Sequence, residues 1–196
     1  MTQSLSPFEE QKAALREEAF ARRAKIPAAD RADAANIVAT LFFDGVPLEP
    51  GQVVAAYWPI RDEIDCKPIL TRLMDSGQQV CLPVVTGDGA PLELRLWQPG
   101  QPLYPSGFGT LAPSETAPRA VPDVVIIPLL AFDRLGTRLG YGKGYYDRTL
   151  EVMDAKPLIV GIAFAAQELE YIPREPHDMP LDILVTETGV QRFEAV

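Results

Sequence analysis

Histidine and cysteine are nearly absent from this chain: among 196 residues there is one histidine, His177, and two cysteines, Cys66 and Cys81. The cysteines show no metal-ligand spacing, and so few thiols fit a reducing compartment better than a secreted disulfide scaffold. Positive charge is also scarce. With 18 Lys and Arg against 27 Asp and Glu, the formal charge is -9. No concentrated basic face offsets it, so a nucleic-acid partner is not expected and any anionic ligand must be drawn in locally. Long apolar runs are missing too. The longest, Val124 to Phe132, is short and broken by Pro128, which excludes a membrane span. The opening MTQSLSPFEEQKAALREE is too polar for a signal peptide, so cytoplasmic residence is expected.

What is present suits one globular domain covering 1–196. The length supports a substantial core. The 19 prolines are scattered rather than gathered into a linker, and no internal repeat is visible. Ser6-Pro7-Phe8-Glu9 carries a capping hydroxyl, a proline at the first helical position and a glutamate at the third, which predicts a helix running to about Lys25. A second helix is expected from Asp30 to about Phe43. Strand-like runs follow at Val53 to Trp58, Val80 to Val85, Leu92 to Trp97, Val124 to Ile127, Leu158 to Phe164 and Ile183 to Thr186. Several are continuously apolar, as strands buried on both faces must be. Helical segments at Cys66 to Ser76 and about Tyr145 to Met153 fall between them, so the expected class is α/β: three layers, α/β/α, with a mainly parallel central sheet.

The most informative stretch is Ala131 to Arg148, AFDRLGTRLGYGKGYYDR. Gly136, Gly140, Gly142 and Gly144 can take backbone angles closed to other residues, letting the chain fold around an anion and aim successive N–H groups at it. Arg138 and Lys143 add full charges, and Asp147 supplies a hard oxygen suited to magnesium. Neither common phosphate loop matches. A P-loop needs glycine where Thr137 stands and a hydroxyl where Gly144 stands, while a dinucleotide fingerprint needs a third glycine at Tyr145. A plain glycine-rich surface turn is the ordinary alternative. Because the block follows the strand Val124 to Ile127, it lies at a strand's carboxyl end, where ligands of such folds gather.

Other constellations are weaker. Lys12 and Arg16, four apart on the first helix, share one face and suit neighbouring phosphate oxygens, though a solvated basic edge balanced by Glu9, Glu10 and Glu17 is the commoner arrangement. Asp62, Glu63 and Asp65 follow the strand ending at Trp58. They suit metal binding, recognition of a planar donor pair or, most commonly, capping of the helix that follows. Trp58, Trp97, Tyr104 and Phe108 offer an aromatic wall or simply core. His177 reads as structural or solvated. Its neighbour Asp178 either stays in solvent or completes a magnesium shell with Asp147.

Taken together, several of these pieces resemble the 5-formyltetrahydrofolate cyclo-ligase, or 5,10-methenyltetrahydrofolate synthetase, family. They are Lys12-x-x-Leu15-Arg16, Asp62-Glu63-Ile64, Leu82-Pro83, Trp97, Phe108-Gly109, the Ala131 to Arg148 block, and His177-Asp178 before Thr186-Glu187. They span nearly the whole chain in the family's order, and the central block is the specific one. Cys66 stands where the family often has threonine, and Ala112-Pro113 where a glutamate-proline pair is common; neither touches the glycine loop.

The resemblance implies ATP- and magnesium-dependent closure of 5-formyltetrahydrofolate to 5,10-methenyltetrahydrofolate through a phosphorylated formyl group, with release of ADP and phosphate. It implies that Lys12, Arg16, Arg138, Leu139, Gly140, Tyr141, Gly142, Lys143, Gly144, Tyr145 and Tyr146 hold ATP, Arg138 and Lys143 acting on the phosphoryl group in flight. Asp147 and Asp178 would hold magnesium, and Trp58, Glu63 and Tyr145 would face the folate. The partner would be a small reduced folate, with neither nucleic acid nor membrane involved and a monomer expected. From the residues alone, a sugar-phosphate isomerase or acyl-transferase on a similar scaffold and a binding module without turnover stay open.

Overall fold

The computed structural model describes residues 6–194. Ser6 accepts the N–H of Glu9 through its hydroxyl at 3.2 Å and Pro7 follows it, so helix α1 (Pro7–Ala24) begins where the capping pattern places it. Helix α2 (Ala28–Gly45) extends two residues past the expected span at each end. Ala28 and Ala29 are strong helix formers behind Pro27. Gly45 is needed at the other end, because a Cβ there would lie 2.7 Å from Val190.

The remaining elements, in chain order, are β1 (Val53–Ala55), α3 (Lys67–Asp75), β2 (Gln79–Val84), β3 (Glu93–Trp97), β4 (Tyr104–Pro105) and β5 (Leu111–Ala112). Then come β6 (Val124–Ile127), β7 (Ala131–Phe132), β8 (Arg138–Leu139), α4 (Tyr145–Glu151), β9 (Leu158–Ile162), β10 (Ile183–Thr186) and β11 (Gly189–Arg192). Seven strands form one sheet in the order β11-β10-β9-β6-β1-β2-β3. The inner five pair in parallel, and only the edges β3 and β11 run antiparallel. The expected mainly parallel α/β sheet is therefore present.

Burial on both faces explains the continuous apolar runs. In β6, Val124 and Ile126 face a core shared with Val38 and Phe42 of α2 and Leu70 of α3, while Val125 and Ile127 face a second core that includes Leu150 of α4. A third cluster joins Ala19 of α1 to Leu130, Ala131 and Leu139. Along the chain the sheet grows from β1 to β2 in one direction and from β6 through β9 to β10 in the other. The carboxyl ends of β1 and β6 thus flank a topological switch point, where open α/β sheets form their ligand crevice.

Several boundaries differ from expectation. β1 ends at Ala55 rather than Trp58, β9 at Ile162 before a short turn at Ala165–Gln167, and α4 at Glu151 rather than Met153. The small β4–β5 ladder, which frames a turn at Gly107–Gly109, carries no periodic signal in the sequence. More consequentially, the glycine loop does not follow β6 directly. The β7–β8 hairpin intervenes, and Gly136 serves its turn (φ +77°), so only the later glycines belong to the loop.

Asp133 holds that hairpin. Buried at 1% exposure, its carboxylate accepts the N–H groups of Leu135 (3.0 Å), Thr137 (2.9 Å) and Ile172 (3.1 Å). Removing it orphans three backbone donors at once. We expect Asp133→Ala to lower unfolding free energy by about 3–5 kcal/mol in urea titration, with Asp133→Asn costing less because it keeps an acceptor. A loss below about 1 kcal/mol would mean that water replaces the carboxylate and that the hairpin needs no such anchor.

Candidate active site

Between β8 and α4 the chain runs through Gly140 to Gly144. Gly142 (φ +91°) and Gly144 (φ +63°) occupy left-handed backbone that glycine alone takes without strain. A Cβ at Gly142 would also sit 3.0 Å from the Arg16 guanidinium carbon. Gly140 has an ordinary φ, and Arg16 Nε donates to its carbonyl at 3.1 Å. Helix α1 therefore lies directly on the loop.

Lys12, one turn earlier on α1, is almost fully buried and its ammonium reaches Glu175 Oε2 and Asp178 Oδ2, each at 2.7 Å. Lys12 is therefore not part of a solvated basic edge, while Arg16, partly exposed, also lies 3.8 Å from Glu9. Burial alone would lower the Lys12 pKa, but its two carboxylate partners outweigh burial and hold it above its usual value. Asp178 mirrors it: burial would raise its pKa, yet the Glu175 N–H at 2.9 Å and the Lys12 ammonium bring it below the usual carboxylate range. Arg138 Nη2 meets Asp147 Oδ1 at 2.5 Å, and the same oxygen accepts the Met179 N–H at 3.0 Å. Lys143 is the free arm, its side chain 53% exposed, 3.9 Å from Asp88 and 5.5 Å from the Phe108 ring centre.

Facing these cations is a wall of aromatic and acidic groups. The Trp58 and Trp97 rings meet edge to face at 5.8 Å, and those of Phe108 and Tyr145 at 5.5 Å. Glu63 Oε2 accepts the Ile60 N–H at 2.9 Å and its Oε1 accepts the Tyr141 hydroxyl at 2.7 Å. Burial pushes the Glu63 pKa up, and those two donors limit the rise. Tyr141 sits in the glycine loop, so its backbone belongs to one wall while its hydroxyl serves the other. Burial likewise raises the Tyr141 and Tyr146 phenols, keeping them protonated.

The three acidic residues after Trp58 divide their roles. Asp65 accepts the Lys67 N–H at 2.9 Å at the start of α3, Asp62 pairs with Arg23 at 2.6 Å, and Glu63 turns into the cleft.

One cleft of about 720 Å³ brings most of these groups together. Every residue that the family resemblance assigns to nucleotide, folate or metal lines it, from Lys12 and Arg16 through Trp58, Glu63 and the glycine loop to Asp147 and Asp178, whereas Asp62, Asp65, Trp97 and Tyr104 do not. Leu139 contributes mainly as core, being 2% exposed, whereas His177 stands exposed with Nε2 3.7 Å from Asp178 Oδ1. Sequence reasoning overlooked Arg23, Tyr57 and Glu175. Arg23 had a usable signal, lying seven residues after Arg16 and hence on the same helix face. Glu175 had none, because nothing local says that its loop returns to α1.

Asp147 and Asp178 offer hard oxygen donors of the kind magnesium takes. Among the described residues, neither Asp147 Oδ2 nor Asp178 Oδ1 receives a hydrogen bond, so each keeps one oxygen for a cation. Asp178 also belongs to a group of donor atoms with Glu175 and His177 that lie within 4.8 Å of one another, and Lys12 pairs with one oxygen of each of the group's two carboxylates.

The model of the 5-formyltetrahydrofolate cyclo-ligase family matches residues 8–187, nearly the whole chain. The chain belongs to that family. Cyclo-ligases similar to it include those of Mycolicibacterium smegmatis, 36% identical over 69% of this chain and 74% of that protein, and Escherichia coli K12, 35% identical over 74% and 82%. Among solved structures, the 5,10-methenyltetrahydrofolate synthetase of Aquifex aeolicus superposes with a TM-score of 0.81 at 32% identity, covering 94% of each chain. As a cyclo-ligase family member the chain is an enzyme, a ligase of folate chemistry. Among its described residues no helix is long and apolar enough to cross a membrane.

The Lys12 tether has a defined pH window. Asp178, whose pKa is lowered on folding, stabilises above its unfolded value near 3.8 and loses that contribution as pH falls through the lower folded value. Lys12, whose pKa is raised, stabilises below about 10.5 and loses it as pH rises through the higher folded value. We expect Lys12→Met to cost about 1.5–3 kcal/mol in chemical denaturation near neutral pH, with the gap to wild type closing toward both extremes. A gap that stays constant at acid pH would show that the lysine stem, not its charge, carries the effect.

Proposed function

We propose that this enzyme closes 5-formyltetrahydrofolate to 5,10-methenyltetrahydrofolate, using ATP to activate the formyl oxygen. The observation that carries the reading is the shape of one cleft. A cationic wall built on Lys12, Arg16, Arg138 and the glycine loop faces an aromatic wall that bears the half-buried carboxylate Glu63. A triphosphate suits the first wall. A pterin suits the second, since its ring N–H and amino group form an adjacent donor pair for a carboxylate and its flat rings suit Trp58 and Tyr145.

The chemistry explains why both ligands must share a cleft. The formyl oxygen is a poor leaving group, so the γ-phosphoryl is transferred to it, breaking the bond to ADP and leaving an iminium phosphate. The folate nitrogen N10 then attacks the formyl carbon. The carbon–oxygen bond breaks, phosphate departs, and N10 gives up its proton as the ring closes. No protein nucleophile takes part. The chain's share of the work is to orient two ligands and to meet negative charge as it moves.

Arg138, fixed by Asp147, is the preorganised cation for this step, and Lys143 reaches over the cleft mouth from a flexible stem. Asp147 and Asp178 would hold magnesium, whose charge offsets that of the phosphates when the ion is bound. Glu63 orients the pterin. Its raised pKa means that folate affinity should fall with acidification at higher pH than an ordinary glutamate would give.

Purified enzyme mixed with 5-formyltetrahydrofolate, ATP and magnesium should develop methenyl absorbance with stoichiometric ADP. Nucleotide hydrolysis without methenyl product, or product without nucleotide, would reject the reaction. In the same assay Lys143→Ala should lower turnover on the order of 10²–10³-fold while changing folate affinity little, as loss of one charge-stabilising donor does. Turnover within about threefold of wild type would transfer that role to Arg138 alone. Glu63→Gln should weaken folate binding by about 1.5–3 kcal/mol in calorimetry and leave ATP affinity nearly unchanged.

A further inference from the structure

Arg23 lies outside every role assigned so far. It is the largest fully buried side chain of the described residues, at 0% exposure, and it touches both walls of the cleft without lining it. Its Nε and Nη2 hold Asp62 Oδ1 at 2.9 and 2.6 Å, while Nη2 also donates to the Tyr141 hydroxyl at 3.0 Å. The guanidinium carbon sits 5.8 Å from the Phe20 ring centre and 5.7 Å from that of Tyr141, so aromatic faces confine it. Nη1 is buried without a partner among the described residues. Fold stability alone gives little reason to bury a guanidinium here, because a well-packed apolar side chain would fill the same space without its desolvation cost.

We propose that Arg23 is a positioning residue that fixes the direction of the Tyr141 hydroxyl and so couples the nucleotide loop to the folate-facing carboxylate of Glu63. Arginine can only donate hydrogen bonds. Its bond to Tyr141 occupies an oxygen lone pair, which leaves the hydroxyl's one hydrogen for Glu63 Oε1 at 2.7 Å. Without Arg23 the hydroxyl can turn and Glu63 loses a donor that favours its charged form. The same arginine anchors Asp62, next to Glu63, so the turn carrying the carboxylate and the loop carrying Tyr141 are held in one register.

Glu63 is faced by the Ile60 N–H, by Tyr141 and Arg23, by Asp62 on its own turn, and by the neutral Tyr57, Tyr146 and Cys66. Of these only Arg23 is a cation. Because coupling is reciprocal, nucleotide that orders the Gly140 to Gly144 loop should tighten folate binding, and folate should tighten nucleotide binding by the same factor.

The inference rests on the proposed folate role of Glu63, and its test separates the two. The Glu63 side-chain carboxyl can be titrated by carbon NMR in the ligand-free enzyme, with no reference to folate. Arg23→Met should raise the midpoint by about 0.5–1.5 pH units, and Tyr141→Phe should do the same. The two together should add little beyond either alone, as members of one chain of bonds do. Arg23→Lys keeps a buried positive charge beside Asp62 but cannot reach both partners with a planar fork, so its midpoint should lie between wild type and Arg23→Met. This second variant also serves if the apolar one does not fold.

In the same variants, the pH at which folate affinity falls should move up with the NMR midpoint, and the factor by which a non-hydrolysable ATP analogue tightens folate binding should shrink toward one. An unmoved Glu63 midpoint in folded Arg23→Lys or Arg23→Met overturns the positioning role. A midpoint that moves while folate affinity keeps its pH dependence leaves Arg23 positioning Glu63 and instead rejects Glu63 as the pterin's partner.

Discussion

The chain leaves β1 toward one edge of the sheet and β6 toward the other, and the opening between the two departing loops is the constraint on which the rest depends. Parallel strands buried on both faces give the sheet rigidity. The switch point gives it a gap at one end, with the turn after Trp58 on one side and the β7–β8 hairpin with its glycine loop on the other. Helix α1 belongs to neither strand sequence. It packs through Ala19 against Leu130, Ala131 and Leu139, which lays Lys12 and Arg16 along the opening and converts a gap into a cleft with walls of different chemistry.

Electrostatics then resolves an apparent conflict between a chain of charge -9 and an anionic ligand. Two cations that line the cleft are tightly paired with carboxylates, Lys12 with Glu175 and Asp178 and Arg138 with Asp147, and Arg23, which does not line it, is paired with Asp62. Pairing lets these side chains sit partly desolvated in fixed positions before any ligand arrives, which is what preorganisation requires. A phosphate entering this environment meets donors that need little rearrangement. Lys143 is only loosely tied, 3.9 Å from an exposed Asp88, and is therefore able to move with the ligand.

Sequence patterns revealed the class and most of the cleft because both leave regular traces. Continuous apolar runs marked the buried strands, the Ser6-Pro7 signal marked α1, and the four-residue spacing of Lys12 and Arg16 survived as a shared face. What escaped was long-range or non-periodic. The hairpin before the glycine loop depends on Asp133 finding Ile172 across 39 positions. Asp62, Glu63 and Asp65 have the same chemistry in sequence, and only the approach of Arg23 and Tyr141 from elsewhere assigns each a separate task. Lys12 looked like a solvated residue because its partners lie 163 and 166 positions away.

Those separations also bear on how the enzyme comes into being. Helix α1 is synthesised well before the carboxylates that secure Lys12, which follow it by 163 and 166 positions. The cleft is therefore a late product of synthesis. A nascent chain that has emerged as far as α4 already carries the partners of Arg16, Ala19 and Arg23 on the hairpin and glycine loop, but it lacks the two carboxylates that pair with Lys12. Until the turn at Glu175 and Asp178 arrives, the Lys12 ammonium has no carboxylate to offset its burial, so that end of α1 is the part of the cleft secured last.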